Sequence, residues 1–196
     1  MKPVYCALLL VAATLTAADR LTPGTVLVAD KKLDDPHFRK TVVLIADHSD
    51  DGILGLILNR RTEMPLSQIL ESWKEAARVT DPIFVGGPVS RRGMFALIRL
   101  KAGTPPEGAK RVVSDIHLVT GRAGLAPHLA DGPQRVRVYA GYTGWAPDQL
   151  ESEMREGAWH TVPANPAIIF DEEPETLWQR LSRAAEMQLA LALPRR

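Results

Sequence analysis

One mixed domain of short strands and helices is what this sequence predicts, and three observations predict it. Apolar runs at 25–29, 41–46, 53–58 and 94–100 are bounded by turn-forming residues, as strands are. Two stretches, 66–77 and 178–192, space their apolar residues at helical intervals. A length of 196 residues suits one well-buried core and is short for two.

The first eighteen residues stand apart. Lys2 supplies a positive start, Val4 to Leu15 is nearly all apolar, and Thr16-Ala17-Ala18 offers the small residues a signal peptidase takes. Residues 1–18 therefore read as a secretory signal peptide and 19–196 as the domain, which places the protein in the periplasm or outside the cell. The alternative is an N-terminal element of a cytosolic fold. The apolar run is short for a stable membrane span.

The elements follow in order. Thr25-Val26-Leu27-Val28-Ala29 is a strand after the Pro23-Gly24 turn. Asp30 to Phe38 is a polar loop. Thr41 to Ala46 is apolar on both faces and so reads as a central strand. Ile53 to Leu58 returns antiparallel to it, with Gly55 marking a bulge or a close backbone approach. Leu66, Ile69, Leu70, Trp73, Ala76 and Ala77 predict a helix, with Thr62 as its cap and Pro65 in its first turn. Pro82 to Val85 is a short strand ended by Gly86-Gly87. Met94 to Leu100 is another, followed by a Gly- and Pro-rich loop over 101–110. Short strands are expected at 111–113 and 116–119, and a short helix over 122–130.

Arg135 to Tyr139 alternates like a half-buried strand. Ala140 to Trp145 then reads as a glycine turn, and Pro147 to Glu156 as a short helix stopped by Gly157. Such a turn either carries an anion on the helix N–H groups or forms a structural corner with Trp145 in the core. The corner is preferred, because no catalytic side-chain type is concentrated there. Strands are expected at 159–162 and 168–170. A last helix is expected to be capped by Asp171 or Thr176, with Trp178, Leu181, Ala185, Leu189 and Ala192 as its stripe.

Charge and composition exclude several classes. The chain has 24 Lys and Arg against 23 Asp and Glu, and loss of residues 1–18 would remove one lysine and leave it formally neutral. That argues against a nucleic-acid partner, whose phosphates need a net basic surface. The single cysteine, Cys6, rules out an internal disulfide and a thiolate cluster. The five histidines lack zinc-site spacing, neither Ser90 nor Ser114 lies in a nucleophile elbow, and Gly86-Gly87-Pro88 lacks the Lys-Ser/Thr of a P-loop. Asp115 and His117 fall on one face of a strand, as a supporting pair or a surface pair. Asp34, Asp35, Asp47, Asp50 and Asp51 miss the calcium-loop spacing and read as solvated loop charge. No catalytic residue, metal site or cofactor is assigned.

The segments Gly24 to Ala29, Asp35-Pro36-His37-Phe38, Gly55 to Arg60, Val85-Gly86-Gly87-Pro88-Val89 and Gly141 to Glu151, with Trp159 and Trp178, occur here in order. In this ordered set the chain resembles the YqgE/AlgH family of bacterial proteins from about Leu21 onward. The resemblance implies an α+β fold: a mostly antiparallel, bifurcated sheet curled into a pseudo-barrel with flanking helices. It implies no settled activity and carries over no catalytic residue. One branch is linked to alginate and transcription control, and members usually look cytosolic, from which the apolar leader departs.

A binding or regulatory module, not a catalyst, is therefore the expected function, with a protein or small-molecule partner. The residues expected to meet it are Asn59 and Arg60, Gly86 and Gly87, and Trp145 and Gln149, where polar or aromatic groups adjoin glycine turns. Asn59-Arg60 either grips a carboxylate or phosphate, or is structural, with Asn59 left-handed and Arg60 paired to an acid. An enzyme built from the same three turns is the alternative, and it requires them to converge. A transcription-linked regulator is the third reading, tied to a cytosolic chain. Export predicts that the protein recovered from extracytoplasmic fractions begins at Asp19, which intact-mass measurement checks; a full-length cytosolic chain would refute it.

Overall fold

A computed structural model describes residues 21–100 and 104–192, with side chains as far as Met187. The expected signal segment, residues 101–103 of the loop and the side chains of Leu189 and Ala192 lie outside the described residues. In chain order the first strands are β1 (Thr25–Ala29), β2 (Val42–Ser49), β3 (Gly52–Ile57) and β4 (Arg61–Pro65). After the short helix α1 (Leu66–Ile69) come β5 (Pro82–Val85), β6 (Val89–Arg99), β7 (Lys110–Val113) and β8 (Ile116–Thr120). Then follow α2 (Gly121–Leu125), β9 (Val136–Trp145), α3 (Gln149–Arg155), β10 (Trp159–Pro163), α4 (Pro166–Ile169) and α5 (Pro174–Ala192).

The strands form one sheet in the order β10-β1-β2-β3-β9-β6-β8-β7, with β4 paired to β5 and β5 to β9 as a branch. All pairs are antiparallel except β5 with β9. The far end curls back. Lys110 of β7 ion-pairs with Asp47 of β2, and Gly24 passes so close to Val112 that a Cβ would lie 3.0 Å from its carbonyl oxygen. The result is an α+β half-barrel, the class the sequence predicts.

β9 makes the fold possible. Its first half pairs with β6 and its last three residues, Thr143 to Trp145, pair with β3. Between them Gly141 adopts φ of 72°. Four residues of β6, Ser90 to Gly93, stand opposite this one glycine, because Val89 pairs with Tyr142 and Met94 with Ala140. Val136, Val138 and Ala140 face one outer layer, with Leu66, Leu125 and Leu129. Trp145 faces another, with Leu27, Val43, Ile57 and Leu150. Tyr139 and Tyr142 join the inner cluster of Val28, Leu44, Leu56 and Leu97, which Ile169, Phe170 and Leu177 of the α4–α5 region close.

Several expectations are corrected. Residues 140–145 are not a turn but a bent strand. The expected helix over 66–77 is only α1 and a 3₁₀ turn at Lys74–Ala76, with Trp73 extended between them. Leu66 and Ser67 donate their otherwise unpaired first-turn N–H groups to the carbonyls of Asp81 and Val79, while past Leu70 the chain tightens into three-residue turns, Trp73 N–H to the Leu70 carbonyl and Ala76 N–H to that of Trp73, and Ile69 is exposed. Thr62 does not cap; its Oγ1 donates to the Ile83 carbonyl at 2.8 Å. Pro65 and Pro147 both precede their helices, and a left-handed Asp148 starts α3. Residues 166–169 are helical, not a strand as expected at 168–170: Asn165 Oδ1 accepts from the Ile168 N–H at 3.0 Å and Pro166 sits at the first position. Asp171 and Thr176 flank the start of α5, where Asp171 Oδ1 accepts from the Glu173 N–H at 2.9 Å. At Gly55 the space is taken by the side chains of Thr143, Val43 and Trp145, not by another backbone, and the bulge lies opposite, between Ile45 and Asp47.

Gly141 generates a test. A Cβ there would lie 2.7 Å from the Gly87 carbonyl oxygen and 2.8 Å from that of Val89, in a conformation that disfavours side chains. Gly141→Ala is expected to lower the urea unfolding free energy by more than about 1 kcal/mol, while Gly108→Ala, with open space around it, loses only the cost of its positive φ.

Candidate functional site

Three of the expected residues form a packed joint. Ile57 N–H donates to the Gly86 carbonyl at 2.9 Å, Val85 N–H to the Arg60 carbonyl at 2.8 Å, and Gly86 N–H to the Ala140 carbonyl at 2.9 Å. Gly86 and Gly87 lie directly on the backbone of Gly141 and Tyr142, where any Cβ would collide. Asn59 bonds through both ends of its amide: Oδ1 accepts from the Val42 N–H at 2.8 Å and Nδ2 donates to the Lys40 carbonyl at 2.9 Å. The left-handed residue is Lys40, with φ of 55°, and not Asn59. Arg60 is half-buried without an ion pair among the described residues. Burial, and then the neighbouring Arg39, lower its pKa, against the pull of Asp35.

Trp145 and Gln149 belong to a different group. Trp145 is 3 % exposed and stacks on Phe38 at 5.6 Å, with Trp159 edge-on at 6.2 Å. Both indole N–H groups donate to one oxygen, Oε2 of Glu153, at 3.0 and 2.9 Å. Gln149 Nε2 donates to the other oxygen at 3.1 Å. The carboxylate of α3 thus ties β9 to β10, and the tryptophan serves the core. Asp115 and His117 do not pair through their side chains. Asp115 accepts from Arg99 Nε at 2.8 Å, which holds its carboxyl below the usual range, and His117 Nδ1 lies 3.3 Å from the Asp115 carbonyl oxygen.

A mainly apolar cavity lies elsewhere, and residue spacing did not reveal it. A cavity of about 250 Å³ opens between β5, β9 and the start of α5. Leu66, Phe84, Pro133 and Pro174 supply apolar walls; Arg61, Asp81, Gln134 and Glu172 supply polar groups. At its base lies Arg137, 7 % exposed. Its Nη1 and Nη2 donate to the carbonyls of Ile169 and Asp171 at 2.9 and 2.8 Å, and its guanidinium lies 4.5 Å over the Phe84 ring. Alternation of Val136, Arg137 and Val138 reads as one wet face, but both faces are covered. The one signal available was Tyr139, an aromatic residue on the arginine's own face. The buried Tyr139 hydroxyl has no hydrogen-bond partner, and burial raises its pKa despite the nearby Arg137. Among the described residues no three His, Cys, Asp or Glu side chains gather to hold a metal, and no helix is long and apolar enough to cross a membrane.

A curled sheet with a mainly apolar cavity at its branch defines a half-barrel α+β protein. The AlgH-like family profile matches residues 26–190, and the chain belongs to that family. It is 38% identical over 180 residues to a UPF0301 protein of Streptomyces avermitilis, covering 90% of this chain and 93% of that one. It is 35% identical to one of Mycobacterium tuberculosis, over 89% and 88% of the two chains. The solution structure of the AlgH protein from Pseudomonas aeruginosa is similar, with a TM-score of 0.67, 29% identity and coverage of 92% and 98%. A crystal structure from Corynebacterium diphtheriae shares the fold, with a TM-score of 0.72 at 24% identity over 87% and 90%.

The aromatic group sets the expected cost of change. Trp145→Ala should lose about 3–5 kcal/mol of stability by chemical denaturation, as large buried aromatics do. Gln149→Ala, at an exposed position, should lose no more than about 1 kcal/mol.

Proposed function

We propose that the protein is a binding module and that the cavity beneath β5, not the glycine joint, receives its ligand. One observation carries this reading: the cavity combines an apolar lining with convergent polar groups and a fixed, buried arginine, the composition of small-ligand sites. Of the six residues expected from sequence, Asn59, Gly86, Trp145 and Gln149 bond to other parts of the fold and Gly87 packs on the Tyr142 backbone. Trp145 also lines a shallow concavity beside the β2–β3 hairpin. We propose in addition that the domain comprises residues 19–196 and works outside the cytosol, a reading supported by the apolar leader and the small residues before Asp19.

The test is a ligand screen by protein NMR using metabolites and short peptides. Binders should shift the methyl signals of Leu66 and Val138. Gln134→Trp, at an exposed rim position, should block the cavity and abolish those shifts while leaving the unfolding midpoint unchanged. Binders that shift only residues around Trp145 would overturn the assignment.

A further inference from the structure

We infer that the cavity receives an extended peptide segment of a partner protein, which joins the sheet along an open flank of β9. The inference rests on the cavity being the ligand site and names the class of ligand.

The backbone pattern leads to it. β9 carries β6 on one flank. Arg99 N–H donates to the Arg135 carbonyl at 2.7 Å, and the antiparallel register runs on from Ile98↔Val136 through Leu97↔Arg137 to Phe95↔Tyr139. Bonding positions alternate along such a pair, so Arg137 and Tyr139 turn their N–H and C=O groups to β6. Val136, Val138 and Ala140 turn theirs to the opposite flank. There Val136 N–H donates to the Gly132 carbonyl at 3.0 Å and the Ala140 carbonyl accepts from Gly86.

β5 occupies that flank only at Phe84↔Tyr139 and Val85↔Ala140. Those two parallel steps consume the Val138 carbonyl and the Ala140 N–H. The next position back along β5 that would bond to β9 is Pro82, which has no N–H to give the Val136 carbonyl. The β4–β5 ribbon separates from β9 at this point, and the cavity fills the wedge, lined on one side by Pro82 and Leu66 and on the other by Val136, Arg137 and Val138. One acceptor, the Val136 carbonyl, and one donor, the Val138 N–H, therefore face it. A single extended residue satisfies both, its N–H donating to Val136 and its C=O accepting from Val138, in the parallel register that β5 abandons. Leu66 and Phe84 offer its side chain an apolar wall. A metabolite without a donor and an acceptor at the spacing of one extended residue would leave this pair unmatched.

The experiment titrates ¹⁵N-labelled protein with N-acetyl-leucyl-valine amide and with analogues methylated at each amide nitrogen in turn. The expected result is a shift of the Val138 amide signal, slower exchange of that amide with deuterated solvent, and about tenfold weaker binding of one methylated analogue. Equal binding of every methylated analogue, an unmoved Val138 amide, or no binding of the peptide overturns the inference. If metabolites still shift Leu66 and Val138 in that case, the cavity remains the ligand site and only the peptide class is lost.

Discussion

The fold depends on one contact between backbones. β5 is followed by Gly86-Gly87, and these two peptides lie against Gly141 and Tyr142 of β9 with no room for a Cβ at Gly86, Gly87 or Gly141. This approach lets a single strand serve two half-sheets. β9 bends at Gly141 with positive φ, pairs once more with β6 at Tyr142, and takes up β3 at Thr143, two residues after the glycine. Glycine in a strand ordinarily weakens it by about 0.5–1 kcal/mol relative to alanine. Here that cost is offset by what the bend permits: two outer layers covered by different helices and one interior shared by both half-sheets.

Arg137 closes that interior. A cation in an apolar cluster is costly unless its donors are satisfied. Two donors meet the carbonyls of Ile169 and Asp171, just past the short α4, and the flat face of the guanidinium lies on Phe84. The charge meets carbonyl dipoles and not a carboxylate; the Asp171 carboxylate is turned to Arg180, with 2.6 Å between Oδ1 and Nη2. The arginine therefore pins the α4–α5 connection to β9, and the cavity forms where that connection, the sheet and the branch strands fail to close completely.

Local pattern reached some of this architecture and not the rest. β1, β2 and β3 were legible because each is a continuous apolar run with its turn residues beside it, and their burial matches that pattern. The fate of 66–77 was not legible: its helical spacing is real, but the backbone leaves helical geometry at Leu70 and is extended at Trp73, and no residue type in 70–73 marks that break. Gly141 and Gly144 were read as a turn for an understandable reason, since glycine usually ends strands; only the presence of Gly86-Gly87 on the opposite chain shows that it bends one instead. Trp145 was legible as core from its type and place. The cavity was not, because its walls come from five separated stretches, and each is unremarkable alone.

The joint and the cavity share one cause. β5 is four residues long, with Pro82 at its start and Gly86-Gly87 just past its end. The glycines draw its far end onto β9 as closely as two chains can lie. The proline withholds the donor that would zip its near end. A strand locked at one end and released at the other must diverge from its neighbour, and parallel pairing gives it no short hairpin to pull it back. Arg137 and α5 then cover the gap from the inner side without entering it. Thus Pro-Ile-Phe-Val-Gly-Gly encodes both the bend that shapes the half-barrel and the opening beside it; a residue with an N–H at position 82 would tend to close the wedge while leaving the half-barrel intact.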